Sequence, residues 1–157
     1  MRKRIITPVQ QDTSLPDGNW LDLEPLAEVE ITSEDAAHHI ESALLPDHGP
    51  GWRAAEPGEQ VIRLVFLQPQ RLKRIWLEFV EPAAERTQEF DLRWSADGGK
   101  TFREIARQQW NFSPEGATSE IEDHRVDLPG VNVLELTIIP DISGGDARAS
   151  LAKFRVA

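Results

Sequence analysis

Residues 88–105, QEFDLRWSADGGKTFREI, leave the chain few options. Phe90, Leu92 and Trp94 alternate with Glu89, Asp91, Arg93 and Ser95, so an extended strand here has one apolar and one polar face. Asp97-Gly98-Gly99 then supplies a turn, because glycine tolerates the positive φ values that tight hairpins demand. Thr101, Phe102 and Ile105 resume the pattern on a return strand. The spacing predicts two antiparallel strands joined by a tight turn.

The same alternation recurs along the chain. Residues 26–31 (LAEVEI) read as a first strand, and Thr32 or Ser33 is placed to cap a short helix over SEDAAHHIESALL, with Ala36, Ile40, Ala43 and Leu44 on one face and Pro46 as its stop. Residues 60–67 carry apolar side chains on both faces, the signature of a strand buried on two sides. Gln68-Pro69-Gln70 reads as a turn into 72–80, where Ile75, Leu77 and Phe79 are in phase and Trp76 points the other way. After the hairpin come strands at 124–128 and 133–139 separated by Pro129-Gly130, and a last strand, ASLAKFRVA, with a bulge where Leu151 and Phe154 fall out of phase. Seven to nine short strands with regular turn signals predict an all-β sandwich or jelly roll. Its core is expected to contain Ile62, Leu64, Phe66, Ile75, Leu77, Phe79, Phe90, Leu92, Trp94, Leu134, Leu136 and Ile138.

Composition narrows function. With 157 residues the chain fits one domain, and its 39% apolar content argues against disorder. A net charge of −10 with scattered Lys and Arg disfavours nucleic acid and anionic membranes. No cysteine is present, which removes disulfides, thiolate zinc sites and cysteine nucleophiles. Residues 1–10 begin with basic residues but lack the apolar core of a signal peptide, and no apolar run approaches the ~20 residues that span a bilayer. The expected location is cytoplasmic, or extracellular if the chain is a mature fragment. Glu28, Glu30, Glu34, Glu41, Asp123 and Asp127 form no recognisable catalytic pair, and Ser95 sits in a turn rather than a nucleophile elbow, so no enzyme is expected.

The order of the segments GWRAAEPGEQVIRLVF, RIWLEF, RTQEFDLRWSADGGKTFREI, VNVLELTIIPD and ASLAKFRV resembles the discoidin family, or coagulation-factor C-type domains, among the galactose-binding-like jelly rolls. The resemblance implies an eight-stranded antiparallel jelly-roll β-sandwich, which with the short N-terminal helix read above takes up residues 24–157; residues 1–23, polar and turn-rich, read as an arm packed on it. It also implies ligand binding through loops at one end and a structural calcium, for which Asp47 is the candidate ligand. Lys153 stands where the family commonly has an acidic residue. Separately, Ser95 to Phe102 resembles the Asp-box of sialidase propellers, a hairpin-stabilising motif; one copy cannot close a propeller.

In an alternating meander, the loops at 81–86, 111–119 and 141–148 share the end opposite the Gly98-Gly99 turn, and the family resemblance implies that the loop at 47–52 joins them. The candidate ligand-binding residues there are Arg86, Trp110, Asn111, Phe112, His48, Asp141 and Arg148. Trp110-Asn111-Phe112 has two readings: a sugar platform, in which an aromatic face sits beside an amide, or a core tryptophan followed by a turn cap. Trp52 reads as core, and Arg86 and Arg148 as surface ion pairs or as forks for a carboxylate or hydroxyl pair. His38 and His39 diverge on a helix and so cannot share a metal. The function expected is non-enzymatic binding of a glycan or other polyhydroxylated ligand. The alternative is a protein-interaction or scaffolding domain using Trp76 and Val80 on a sheet face, with a homodimer as one form.

Overall fold

The computed structural model describes residues 19–157, so expectations for residues 1–18 lie outside the described residues. Two short helices, α1 (Leu23–Leu26) and α2 (Glu41–Leu44), accompany eight strands. These are β1 (Ala27–Ile31), β2 (Trp52–Arg53), β3 (Gln60–Val80), β4 (Arg86–Ser95), β5 (Arg103–Phe112), β6 (Ser119–Ile139), β7 (Ser150–Leu151) and β8 (Lys153–Val156). All named pairings are antiparallel.

β3 and β6 are each 21 residues long and pair along their whole length. Their register slips three times between Val65 and Arg74, and there the strand pair bends from one layer into the other. On one side of the bend, the order is β1, first half of β3, second half of β6, β4, β5; on the other, β8 and the first half of β6 flank the second half of β3. The halves face each other across the core, because Phe79 of β3 stacks on Phe90 of β4, 5.5 Å between centroids, although their strands are not paired. Counted by layer, eight strand segments make a jelly-roll sandwich, with β2 and β7 as a small separate ribbon.

Every residue expected in the core is buried, from Ile62 at 0% to Trp94 at 9% exposure. Trp52 joins them at 1%. The turns expected at Gln68-Pro69-Gln70 and Pro129-Gly130 are corrected: the chain does not reverse at either, and Gln70 pairs with Val131 at the bend. Proline lacks a ladder N–H and so fits where pairing is already broken.

The helix expected over 33–45 is also corrected. Only Glu41–Leu44 is helical, and Ala36 is exposed although Ile40, Ala43 and Leu44 are buried. Ser33 Oγ hydrogen-bonds Gln60 Oε1 (2.7 Å) and accepts from the Ala55 N–H (3.0 Å), tying this segment to the sheet instead of capping a helix. Of the two residues on the sheet face offered for docking, Trp76 is 5% exposed and lies opposite Arg155 of β8, whereas Val80 is 40% exposed.

Candidate functional site at the loop end

The Asp97 turn and the loop end lie at opposite ends of β4. At the turn, Asp97 Oδ1 accepts from Ser95 Oγ (2.6 Å) and the Thr101 N–H (2.9 Å), and its Oδ2 accepts from Thr101 Oγ1 (2.5 Å). Ser95 Oγ accepts from the Gly99 N–H, and the Gly98 N–H donates to Asn132. Hydroxyl hydrogen bonds from Ser95, then Thr101, hold the Asp97 carboxyl well below the usual carboxylate range. This constellation is closed on itself.

At the other end, the connections after β3, β5 and β6 converge with the β2–β7 ribbon. The Glu81 N–H donates to Thr118 O, the Ile142 N–H to Thr87 O, and Ser150 Oγ to Val80 O. Between these loops lies a cleft of about 280 Å³, walled by His38, Arg53, Val80, Glu81, Pro82 and Arg148. Gly51 lines it and has to be glycine: its φ is 121°, and a Cβ would stand 2.7 Å from Leu151 O. Register places Arg53 on the cleft, since its neighbours Trp52 and Ala54 are buried and it pairs with Ser150.

His38 is held by its own segment. Its Nδ1 is 3.1 Å from Asp35 Oδ2, and the Asp35 N–H donates to Arg53 O. The Ala37 N–H, followed by His38, lowers the Asp35 carboxyl, with Arg148 adding a smaller pull in the same direction. With Nδ1 turned to Asp35, Nε2 is the ring nitrogen left to meet a ligand. Glu81 is engaged by Arg86 Nε at 2.9 Å. The cleft thus combines hydrogen-bonding groups with the apolar surfaces of Val80 and Pro82, a pairing suited to a ring with polar and apolar faces.

Of the residues singled out in sequence, Arg148 lies on this cleft. Arg86, Asn111, Phe112 and Asp141 come together beside it. Arg86 is buried at 4% exposure, donating to Pro140 O (2.7 Å) and Gln88 Oε1 (3.2 Å) with its guanidinium 4.8 Å from the Phe112 ring. Phe112 is 1% exposed, which corrects the expectation that it opens to solvent: it covers Arg86. Asn111 is exposed and accepts from Thr87 Oγ1 at 2.7 Å; Trp110 is 37% exposed on β5 opposite Gln88. Asp141 accepts from Ser143 Oγ (2.7 Å) and N–H (3.1 Å), and these bonds, the hydroxyl's first, lower its carboxyl. His48 is exposed, its carbonyl accepting from Ser42 Oγ, and neither it nor Asp47 lines the cleft. Asp47 is exposed with φ of 60°.

Among the described residues, Glu34, His39 and Glu41 bring ligand atoms within 4.8 Å of one another. Glu34 is already used there: Oε1 meets His39 Nδ1 at 2.9 Å and Oε2 accepts from the Ile40 N–H. Glu34 raises the His39 pKa, first by hydrogen bonding. Two carboxylates and an imidazole do not fit calcium, which takes about 6–8 oxygens. Asp47 is not part of this group.

Sequence reasoning passed over His38 as a ligand group and did not single out Arg53; the apolar–charged–apolar run of Trp52-Arg53-Ala54 was the available signal. It also passed over an acid pair that only the fold assembles. Glu120 lies opposite Phe79 and is 3% exposed. Desolvation, then the neighbouring Glu122, pushes its carboxyl up to about 8. Buried this deeply, Glu120 is closed to a substrate.

No family model and no curated protein matches the sequence. Solved structures do match the fold. A pectin-binding carbohydrate-binding module has a TM-score of 0.61 and 16% identity, with 83% of this chain and 89% of that chain covered. A family 32 carbohydrate-binding module of AlyQ, in complex with 4,5-unsaturated mannuronic acid, has a TM-score of 0.61 and 13% identity over 84% and 95% of the two chains. The family 32 module of C. perfringens NanJ, in complex with galactose, gives 0.58 and 14% over 83% and 92%. The chain therefore has the galactose-binding-like, discoidin-like jelly-roll fold. Among the described residues no helix is long and apolar enough to cross a membrane.

Proposed function

We propose that the protein is a non-enzymatic carbohydrate-binding module that holds a sugar in the cleft walled by His38, Arg53, Val80, Glu81, Pro82 and Arg148. The observation that carries this reading is the cleft itself: hydrogen-bonding side chains and apolar surface meet at the loop end of the sandwich. Solved structures of the same fold described as binding pectin, mannuronic acid or galactose support it. Fold alone does not define function, so the side chains have to supply the recognition. His38 Nε2 and the two guanidinium groups offer hydrogen bonds to ring hydroxyls, and Val80, 40% exposed, offers apolar contact. Asn111, which accepts from Thr87 Oγ1, and Asp141, whose neighbour Ile142 donates to Thr87 O, form an outer rim that a longer glycan would reach.

A shallow cleft of this size buries little ligand, so dissociation constants in the high-micromolar to millimolar range, about −4 to −6 kcal/mol, are expected. A glycan array followed by titration calorimetry, with and without a chelator, tests the proposal. Binding that survives chelation and is lost in Arg148→Ala supports it. A panel on which no glycan binds overturns it.

A further inference from the structure

We infer that the cleft prefers a carboxylate-bearing sugar, a uronic-acid unit, over its neutral counterpart; this rests on the carbohydrate-binding reading above. The observation is the unequal use of arginine. The chain has 27 Asp and Glu against 17 Lys and Arg, so carboxylate partners are plentiful. Arg63, Arg71, Arg74, Arg86, Arg93 and Arg107 each make an ion pair with one. Arg53, Arg103, Arg125, Arg148 and Arg155 make none among the described residues; Arg103 lies over the Trp94 ring and Arg155 donates to Ala43 O, and it is Arg53 and Arg148, both exposed, that line the cleft.

Two nearby acids are engaged elsewhere. Glu81 is held by Arg86, and Asp35 accepts from the Ala37 N–H and contacts His38. Asp35 feels Arg148 only as a minor influence. The cleft therefore presents two guanidinium groups that are hydrogen-bonded by no carboxylate among the described residues. Guanidinium matches a carboxylate through paired N–H donors, and such charge-assisted bonds exceed neutral ones in strength. A sugar carboxylate between Arg53 and Arg148 satisfies both, while ring hydroxyls face His38 and the ring's apolar face lies on Val80 and Pro82.

Titration calorimetry of the full chain tests this with short oligomers of galacturonate, mannuronate and glucuronate, the methyl esters of the same oligomers, neutral galactose oligomers, and a sulfated galactose oligomer. At least one uronate is expected to bind roughly tenfold tighter than its own methyl ester, the size of one charge-assisted bond. Arg53→Gln and Arg148→Gln are expected to weaken uronate binding more than ester binding, so that the acid-to-ester affinity ratio falls towards one. The comparison of acid with ester on the parent chain needs no variant, so a misfolded substitution cannot obscure the result. Equal affinity for acid, ester and neutral oligomers overturns the inference and leaves the carbohydrate reading standing. Sulfated sugar binding as tightly as uronate overturns the carboxylate preference in favour of anions in general. No binding by any oligomer overturns both.

Discussion

The two ends of the sandwich treat their polar groups in opposite ways. At the β4–β5 turn, four residues within seven positions satisfy one another: Ser95, Asp97, Gly99 and Thr101. At the loop end, the groups walling the cleft come from positions 38, 53, 81 and 148, and neither arginine has a carboxylate partner among the described residues. A closed constellation stiffens a turn and has nothing left to offer a ligand. An open one gains little for folding and keeps its donors for a partner. The difference locates stability at one end and recognition at the other, with the shared core between them.

Breaking the core should cost most and damage both ends together. Leu92→Ala, at 0% exposure, is expected to lose roughly 2–5 kcal/mol in urea unfolding; a loss below ~0.5 kcal/mol would contradict its burial. Gly51→Ala comes next, because positive φ strain alone costs on the order of 1–3 kcal/mol and the added Cβ meets Leu151 O. Its damage should concentrate at the cleft, so ligand binding falls while near-ultraviolet circular dichroism of the buried core stays close to the parent's.

The buried acid pair gives a pH-dependent test. Because Glu120 is raised from 4.5 to about 8, its contribution to stability is complete below about pH 4.5 and is lost as pH rises through about 8. Glu120→Gln should therefore melt like the parent at pH 4 and higher than the parent at pH 9; equal melting at pH 9 would show that Glu120 ionises without cost. Asp97→Asn should act locally. Faster amide exchange at Gly99 and Thr101 with unchanged ligand affinity is the expected result, whereas weakened binding would join the two ends that the account separates. The smallest effect is expected for Asn111→Ala, on the rim: a slight weakening of long glycans only, read by calorimetry against a short one.

The sequence made the self-contained end easy to read, and the reasons are physical. Alternation is a local property, so Phe90, Leu92 and Trp94 announce their own face, and the Ser-x-Asp-x-Gly spacing announces its own turn. The core followed for the same reason. Gln68-Pro69-Gln70 and Pro129-Gly130 misled because a turn signal reports a local break in pairing and is silent on whether the chain then reverses; here two breaks face each other and become a bend shared by β3 and β6. Residues 33–40 carry helix-compatible residues, but Ser33, Glu34 and Asp35 are engaged by Gln60, His39, Ile40 and His38, which holds the segment open. Arg86 and Phe112 were legible as a loop-end pair, yet their burial against Pro140 depends on non-local pairing. The cleft is least legible of all, since its residues meet only through the β2–β7 ribbon and the return of the chain after β3.

Two-dimensional NMR of the full chain during titration with the best-binding glycan tests the separation of the two ends most directly. Amide shifts are expected to concentrate at His38, Arg53, Val80, Glu81, Arg148 and Ser150, while Ser95 to Thr101 stay in place. Shifts centred on the Asp97 turn, or on the outer face around Arg63 and Glu135 with the cleft silent, would contradict that separation.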